Sequence, residues 1–282
     1  MDPNTLHADR RHFLTSASAA AAIIAAHGCT PGEESNGDRR REKENSPRIR
    51  RLELLSSAPL TKMKEFYHKL LGLAVEKESE RLTITAGETP ITFRKATKEE
   101  GKPFYHFAFN IPENKLLAAH DWQKKRTPLL PIPKTLRDPK FPDAVVDYSH
   151  WNAHSIFFFD PAGNVVEYIA RHDLKNSAEG EFSSKDILYA SEIAFVVDDV
   201  AATVSKLKEI VGVEQYKGAS DQFAALGDER GLLLVMKRGR VISFDAPQKK
   251  AVTVFATRAV VRGGRQTKYA FSKFPYEISV DG

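Results

Sequence analysis

The feature that most constrains the fold of this chain is a local pattern that occurs three times along its 282 residues. In each copy a short apolar strand is followed by a turn and an amphipathic helix, and the strands include Leu52, His106 and Glu192. Further strand-like runs separated by turns follow every helix, so each unit is predicted to be β-α-β-β-β. Residues 251–280 form a fourth, degenerate unit with strands but no evident helix. The repetition predicts an α+β fold built from tandem βαβββ modules.

Two polar residues lie on strands that are otherwise apolar. His106 begins the run 106–113, Glu167 follows the turn 160–164, and each points the same way as apolar neighbours. A carboxylate on such a face is costly to bury unless a positive group meets it. A divalent metal would satisfy both side chains, because imidazole and carboxylate are suitable ligands. The alternative is a buried ion pair or hydrogen-bonded pair without a metal.

Three segments resemble those of the vicinal oxygen chelate superfamily, which includes glyoxalase I, fosfomycin- and bleomycin-resistance proteins and extradiol dioxygenases. They are Glu65-Phe-Tyr-His-Lys-Leu-Leu-Gly-Leu73, His106-Phe-Ala-Phe109 and Asp160-Pro-Ala-Gly-Asn-Val-Val-Glu167. The resemblance implies glyoxalase-like curved, mixed β-sheets with flanking helices, in which modules pair. We therefore expect a glyoxalase-like domain of two modules at residues 48–175 and a second, degenerate domain at residues 187–282.

In this superfamily the metal ligands come from the first and last strands of the modules. By position, His106 would be the first-strand ligand of the second module and Glu167 its last-strand ligand. The equivalent positions of the first module are Leu52, located by counting back from the helix start, and Thr92. Leucine cannot ligate a metal and threonine does so poorly, so these two residues are predicted to line the ligand site instead.

A third metal ligand is predicted on the strand that enters the turn 160–164. If that strand is regular, His154 shares a face with Ile156 and Phe158, which would be the cavity face. Contact with a ligating residue or with the bound ligand is the alternative role for His154. Glu192 occupies the first-strand ligand position of the third module, but it is expected to belong to the other domain and not to reach His106.

Two aromatic residues are predicted to contact the ligand. Trp151, in a polar loop, is a candidate for the pocket rim. Phe157 stands ten residues ahead of Glu167, where extradiol dioxygenases have a tyrosine. That tyrosine is the acid–base partner of ring cleavage in those enzymes, so its replacement by phenylalanine disfavours ring cleavage here.

These residues favour a divalent-metal-dependent enzyme that acts on a small oxygenated molecule, of the lyase, isomerase or dioxygenase type, with Fe, Mn, Zn or Ni as the metal. The alternative is a metal-free protein that binds or sequesters a small molecule, as the resemblance to bleomycin-resistance proteins implies. The superfamily also implies a homodimer. The formal net charge is +5, but no basic helix or repeated aromatic–basic pattern is present, which disfavours nucleic-acid binding.

The N-terminal segment resembles a bacterial export signal. Residues 1–29 contain the twin-arginine (Tat) pattern Arg10-Arg11-His12-Phe13-Leu14, followed by a small, mostly apolar run. Cys29, the only cysteine, stands where bacterial lipoproteins carry their lipid anchor, with ordinary cleavage near Ala26 or no cleavage as the alternatives. Residues 30–47 are polar and charged and are predicted to be a disordered linker. We expect an exported protein, periplasmic or membrane-anchored.

Overall fold

The structure is a computed structural model that describes residues 47–78, 80–242, 244 and 250–281. The predicted export signal 1–29 with Cys29, and the predicted linker apart from residue 47, lie outside the described residues. The described strands form two large mixed sheets and one two-stranded ribbon. Among the described helices, none is both long enough and apolar enough to cross a membrane.

The first two modules follow the predicted β-α-β-β-β order. The elements of the first module are β1 (Arg48–Ser56), α1 (Leu60–Lys64) with a π-helical continuation (Glu65–Leu70), β2 (Ala74–Lys77), β3 (Arg81–Ala86) and β4 (Thr89–Lys95). Those of the second are β5 (His106–Ile111), α2 (Leu116–Lys124), β6 (Val145–Tyr148), β7 (Ala153–Phe159) and β8 (Val165–Arg171).

The third module repeats this order, and the fourth follows a short ribbon. The elements of the third module are β9 (Tyr189–Val197), α3 (Val200–Val211), β10 (Gln215–Ala219), β11 (Phe223–Asp228) and β12 (Gly231–Lys237). Helix α3 begins after Asp199, whose side chain accepts the N–H of Ala202, and it ends at Gly212 in the left-handed conformation. The ribbon and the fourth module comprise β13 (Val241–Ile242), β14 (Lys250–Ala251), β15 (Thr257–Arg262), β16 (Thr267–Ala270) and β17 (Tyr276–Asp281).

The modules do not pair in the way that the sequence analysis predicted. The seven-stranded sheet has the order β16-β17-β15-β1-β4-β3-β2, so it joins the first module to the fourth. The eight-stranded sheet has the order β10-β11-β12-β9-β5-β8-β7-β6 and joins the second module to the third. The ranges 48–175 and 187–282 therefore each contribute strands to both sheets. Within its own module, every first strand pairs on one side only, and its other edge can accept the first strand of another module. Local sequence therefore does not determine which module becomes its partner.

Two hydrophobic clusters and several buried hydrogen bonds hold the sheets together. The larger cluster contains residues of both sheets and of all three α-helices, and the smaller one covers the opposite face of the eight-stranded sheet. The Tyr276 hydroxyl donates to the Val196 carbonyl at 2.6 Å, and the Ala190 N–H donates to the Thr89 hydroxyl at 3.1 Å. These contacts join the first and fourth modules directly to the third, so the two sheets pack as one body.

The turn between β7 and β8 is organised by one buried carboxylate. Asp160 accepts hydrogen bonds from the N–H groups of Ala162 (2.9 Å) and Asn164 (3.0 Å) and from the Asn164 side-chain amide (2.7 Å). The Tyr67 hydroxyl, on the π-helical segment of the first module, donates to Asp160 at 2.8 Å. Burial raises the pKa of Asp160, and these donors oppose that increase. The turn that precedes Glu167 is thus tied to the neighbouring module.

Replacing Tyr67 by phenylalanine should lower the free energy of unfolding by about 2 kcal/mol, because Asp160 loses a donor in a buried position. Urea denaturation followed by circular dichroism would measure the change. Tyr269→Phe, on the half-exposed strand β16, is the matched control and should change stability by less than about 0.5 kcal/mol. Equal stability of Tyr67→Phe and the unaltered protein would contradict the role given to this hydrogen bond.

Candidate metal centre

Three strands in the middle of the eight-stranded sheet bring His106, Glu167 and Glu192 together. Strand β5 lies between β8 and β9, and its residue Ala108 is directly opposite both Glu167 and Glu192. His106 precedes Ala108 by two residues and therefore lies on the same face of β5. The small side chain of Ala108 leaves space between the two carboxylates. We call this face, which carries all three polar residues, the site face.

The three side chains are close enough to share one ion. His106 Nε2 lies 3.4 Å from Glu167 Oε2 and 3.8 Å from Glu192 Oε2. One ligand atom from each residue lies within 4.8 Å of the others. All three side chains are at most 7% exposed. Within the described residues, this is the one group of His, Cys, Asp and Glu side chains that is compact enough to hold a metal.

The histidine ring is oriented for ligation. His106 Nδ1 lies 3.1 Å from the Val165 carbonyl oxygen, and a carbonyl can only accept a hydrogen bond. The proton is therefore held on Nδ1, and Nε2 is left facing the carboxylates. A neutral imidazole in this tautomer presents the lone pair of Nε2 to the centre, as metal ligation requires.

Burial and neighbouring charges shift the pKa values of two groups of the centre, Glu167 and His106. Burial and the charge of Glu192 raise the pKa of Glu167 to about 8. Burial alone would lower the pKa of His106, but the nearby carboxylates of Glu192 and Glu167 outweigh this effect and raise that pKa. Both shifts indicate that a positive charge, either a proton or a metal ion, is strongly favoured between the carboxylates.

Arg171 is a further polar residue on the site face. Its side chain is fully buried, and its Nη2 donates to Glu192 Oε1. The Arg171 guanidinium lies 5.7 Å from the centre of the Trp151 ring. Nε and Nη1 of Arg171 and Nε1 of Trp151 are buried and have no protein hydrogen-bond acceptor among the described residues. The centre therefore has adjacent donors that an oxygen-bearing ligand or ordered water would satisfy.

The donor set fits a divalent metal. Glu167 Oε1 is buried without a hydrogen-bond partner among the described residues, which is costly unless a cation or a proton meets it. One imidazole and two carboxylates are the ligand types that Fe²⁺, Mn²⁺ and Zn²⁺ accept. In the third module, Leu234 on β12 occupies the position that corresponds to Glu167 on β8 of the second module. The last strand of the third module therefore contributes no carboxylate at this position. Among the described residues, three side chains, His106, Glu167 and Glu192, would therefore hold the metal.

The predicted pair His106 and Glu167 is brought together, but His154 does not join it. In the ladder between β7 and β8, Phe157 lies opposite Glu167 and His154 lies opposite Ala170. His154 does share a face with Ile156 and Phe158, as expected, but that face packs on the larger cluster, away from the metal centre. His154 Nδ1 instead lies 2.9 Å from His172 Nε2.

Glu192 is a site residue that sequence reasoning placed elsewhere, and Arg171 is one that it did not identify. The assignment of the second and third modules to different domains predicts that Glu192 lies out of reach of His106. Their antiparallel pairing through β5 and β9 places Glu192 opposite Ala108 instead. The sequence does contain a feature that points to Glu192 as a ligand, because Glu192 occupies the first-strand ligand position of its module.

The two predicted aromatic contacts lie on the site face. Phe157 packs beside the centre, with its ring 6.1 Å from that of His106 and 5.2 Å from that of Phe244. Trp151 is 7% exposed and packs against Tyr148 and Tyr216, so it is a buried wall rather than an exposed rim. A cavity of about 20 Å³ borders His106 on the side of Tyr105 and Val196, which is room for about one water molecule.

Leu52 and Thr92 do not lie at this centre, because their strands belong to the seven-stranded sheet. Leu52 is fully buried in the larger cluster, and its neighbour Glu53 takes the opposite face, directly across from Thr92. Successive residues of a strand face opposite sides of the sheet, so Leu52 is directed into the larger cluster and Glu53 away from it.

Comparison with known proteins supports the fold and is silent on the activity. No family model matches the chain, and no curated protein matches it. A Bacillus subtilis protein with a provisional dioxygenase assignment has a similar structure, with a TM-score of 0.52, 14% sequence identity and coverage of 84% of this chain and 86% of that chain. Glyoxalase I from Zea mays follows with a TM-score of 0.48, 12% identity and coverage of 85% and 94%. Identities this low show the fold alone, and the predicted glyoxalase-like α+β fold is confirmed.

Proposed function

We propose that this protein, which has the vicinal oxygen chelate fold, is a divalent-metal-dependent enzyme that acts on a small oxygenated molecule. The observation that carries the proposal is the convergence of His106, Glu167 and Glu192 from three strands, where Glu167 Oε1 has no hydrogen-bond partner among the described residues. The twin-arginine pattern at residues 10–14 supports export of the folded protein as part of the same proposal.

The oxygenated nature of the substrate is inferred from the donors beside the centre. Arg171 Nε, Arg171 Nη1 and Trp151 Nε1 are buried N–H groups without a protein acceptor among the described residues. A carbonyl, hydroxyl or carboxylate oxygen of a ligand would supply the acceptors that these groups need. An apolar ligand would leave them unsatisfied and would be rejected.

Each residue of the centre has a distinct task in this proposal. A bound metal would act as a Lewis acid that polarises a substrate oxygen. His106, Glu167 and Glu192 would hold it, and the Val165 carbonyl keeps the His106 ring oriented. Arg171 positions Glu192 through their ion pair. The packing of Phe157 against Phe244 excludes water from one side of the centre, which strengthens the electrostatic interactions inside.

The metal content of the purified protein tests the proposal. We expect about one divalent metal per chain in the unaltered protein and loss of at least nine-tenths of it in Glu167→Gln, because the amide supplies no negative charge. Glu113→Gln is the matched control, since Glu113 also contacts a histidine, His172, but lies away from the centre. Mass spectrometry of the metals before and after reconstitution with Fe²⁺, Mn²⁺, Zn²⁺ and Ni²⁺ gives the result.

A metal-free binding protein is the second candidate function, and one observation favours it. Arg171 neutralises Glu192, and a single proton shared by His106 and Glu167 leaves the metal-free centre without net charge. A buried cluster balanced in this way has no uncompensated charge that requires a metal ion. Absence of metal from the unaltered protein, even after reconstitution, would reject the enzyme proposal and favour this second function.

A further inference from the structure

The seven-stranded sheet carries a second cavity, separate from the metal centre. It has a volume of about 380 Å³, which lies within the range of small-molecule sites. Its lining comes from strands of the first and fourth modules, so both modules are needed to form it. We call it the arginine groove after three of its lining residues, Arg81, Arg94 and Arg258.

The floor of the arginine groove is one row of side chains across neighbouring strands. Thr92 lies opposite Glu53, Glu53 opposite Arg258, and Arg258 opposite Glu277, on β4, β1, β15 and β17. Residues directly opposite one another in a ladder share a face, so all four side chains project into the same cavity. Strand register thus produces a floor on which acidic and basic groups alternate.

The charges around this floor do not cancel. Glu53 is shared between Arg81 at 3.7 Å and Arg258 at 3.4 Å, so one carboxylate faces two guanidinium groups. Glu277 is held by Lys268 at 3.0 Å and lies 3.9 Å from Arg258.

The third arginine of the groove is already neutralised. Arg94 donates two hydrogen bonds to the Glu100 carboxylate, at 2.6 and 3.0 Å. The other three cations, Arg81, Arg258 and Lys268, face two carboxylates, those of Glu53 and Glu277, so one positive charge remains in excess. This excess is located between Arg81 and Arg258, whose contacts with Glu53 are long. A ligand with a single negative charge would complement this excess.

One wall of the groove is aromatic. Phe271, Phe274 and Tyr276 line it, and the rings of Phe274 and Tyr276 are stacked with centroids 5.5 Å apart. The Tyr276 hydroxyl is bound to the Val196 carbonyl, so the ring cannot leave the wall. Flat apolar groups pack well on such rings. The groove therefore combines an excess cation with a rigid apolar surface.

We propose that the arginine groove binds a small monoanionic ligand with a flat apolar body, of the aromatic carboxylate class. The carboxylate lies against Arg81 and Arg258, and the ring lies on Phe274. The proposal does not depend on the metal centre, because the two sites are built on different sheets.

Titration with benzoate, followed by amide chemical shifts of the ¹⁵N-labelled protein, tests this proposal. We expect saturable shifts in β1, β15 and β17, and an affinity about tenfold lower in Arg258→Gln, because a charge-assisted hydrogen bond is lost. Arg258 is 61% exposed, so this variant should fold. Arg81→Gln is a second variant with the same expectation. Arg265→Gln, an exposed arginine in the turn before β16, is the matched control and should bind benzoate normally.

Two further measurements are needed. The neutral probe benzyl alcohol tests the contribution of the carboxylate, and the variant His106→Ala tests whether the metal centre takes part in binding. Benzyl alcohol should bind more weakly than benzoate, and His106→Ala should bind benzoate as well as the unaltered protein does. No saturable shifts up to about 10 mM benzoate, the affinity expected of a ligand this small, would overturn the proposal. Equal benzoate affinity in Arg258→Gln and the unaltered protein would overturn it as well. Loss of binding in His106→Ala would instead assign the benzoate site to the metal centre.

Discussion

Replacing Arg171 by methionine should lower the free energy of unfolding of the metal-free protein by about 3–5 kcal/mol. The Arg171 guanidinium is fully buried and is bound to Glu192, which is itself buried. Without it, the Glu192 carboxylate stays in the interior, and His106, whose Nε2 is 3.8 Å away, is the remaining ion-pair partner among the described residues. Methionine has a similar length and no polar atom to leave unsatisfied. The decrease in the free energy of unfolding therefore reports the missing charge and not the creation of a cavity. Urea denaturation in the presence of a chelator would measure it.

Two further measurements separate this electrostatic cost from a general packing defect. The double variant Arg171→Met with Glu192→Leu removes both charges, and it should regain most of the lost stability. Excess Zn²⁺ should stabilise Arg171→Met more than the unaltered protein, because the metal replaces the missing cation. A double variant as unstable as the single one would contradict the ion-pair explanation. Equal stabilisation of both proteins by Zn²⁺ would show that the metal and Arg171 do not act on the same carboxylate.

Replacing Gly87 by alanine should lower the free energy of unfolding by about 3 kcal/mol, the sum of backbone strain and a lost contact. Gly87 forms the turn between β3 and β4 with φ +52°, and a Cβ there would lie 1.9 Å from the Leu188 carbonyl oxygen. The N–H of the next residue, Glu88, donates to that same carbonyl at 2.9 Å. The turn would have to move away from the start of β9, and the link between the two sheets would weaken.

Gly101→Ala is the matched control for this substitution. Gly101 also has a positive φ, of +71°, but a Cβ there would meet no atom within 4 Å. Its replacement should therefore cost only the left-handed backbone strain, about 1 kcal/mol. Thermal denaturation of both variants under the same conditions gives the comparison. Equal losses at the two positions would mean that the approach of Gly87 to Leu188 contributes nothing to stability.

Much of the fold and part of the centre could be predicted from the sequence, because they depend on local order. The β-α-β-β-β repeat follows from apolar periodicity and turn residues within each module, which neighbours along the chain determine. The pair His106 and Glu167 could be predicted because both belong to one module, where parallel pairing of its first and last strands brings them together. The sequence also predicts that His154 shares a face with Ile156 and Phe158, since alternation along a strand is a local property.

The tertiary structure alone decided which modules share a sheet, and the remaining errors follow from that. Glu192 enters the centre because β9 pairs with β5, a contact that neither strand's own sequence specifies. His154 is excluded because the face it shares with Ile156 is the one that packs on the larger cluster. Leu52 and Thr92 are excluded because β1 and β4 share their sheet with the fourth module and not with the second. Each of these outcomes depends on strand edges and faces meeting partners far away in the chain, and periodicity within a segment carries no information about those partners.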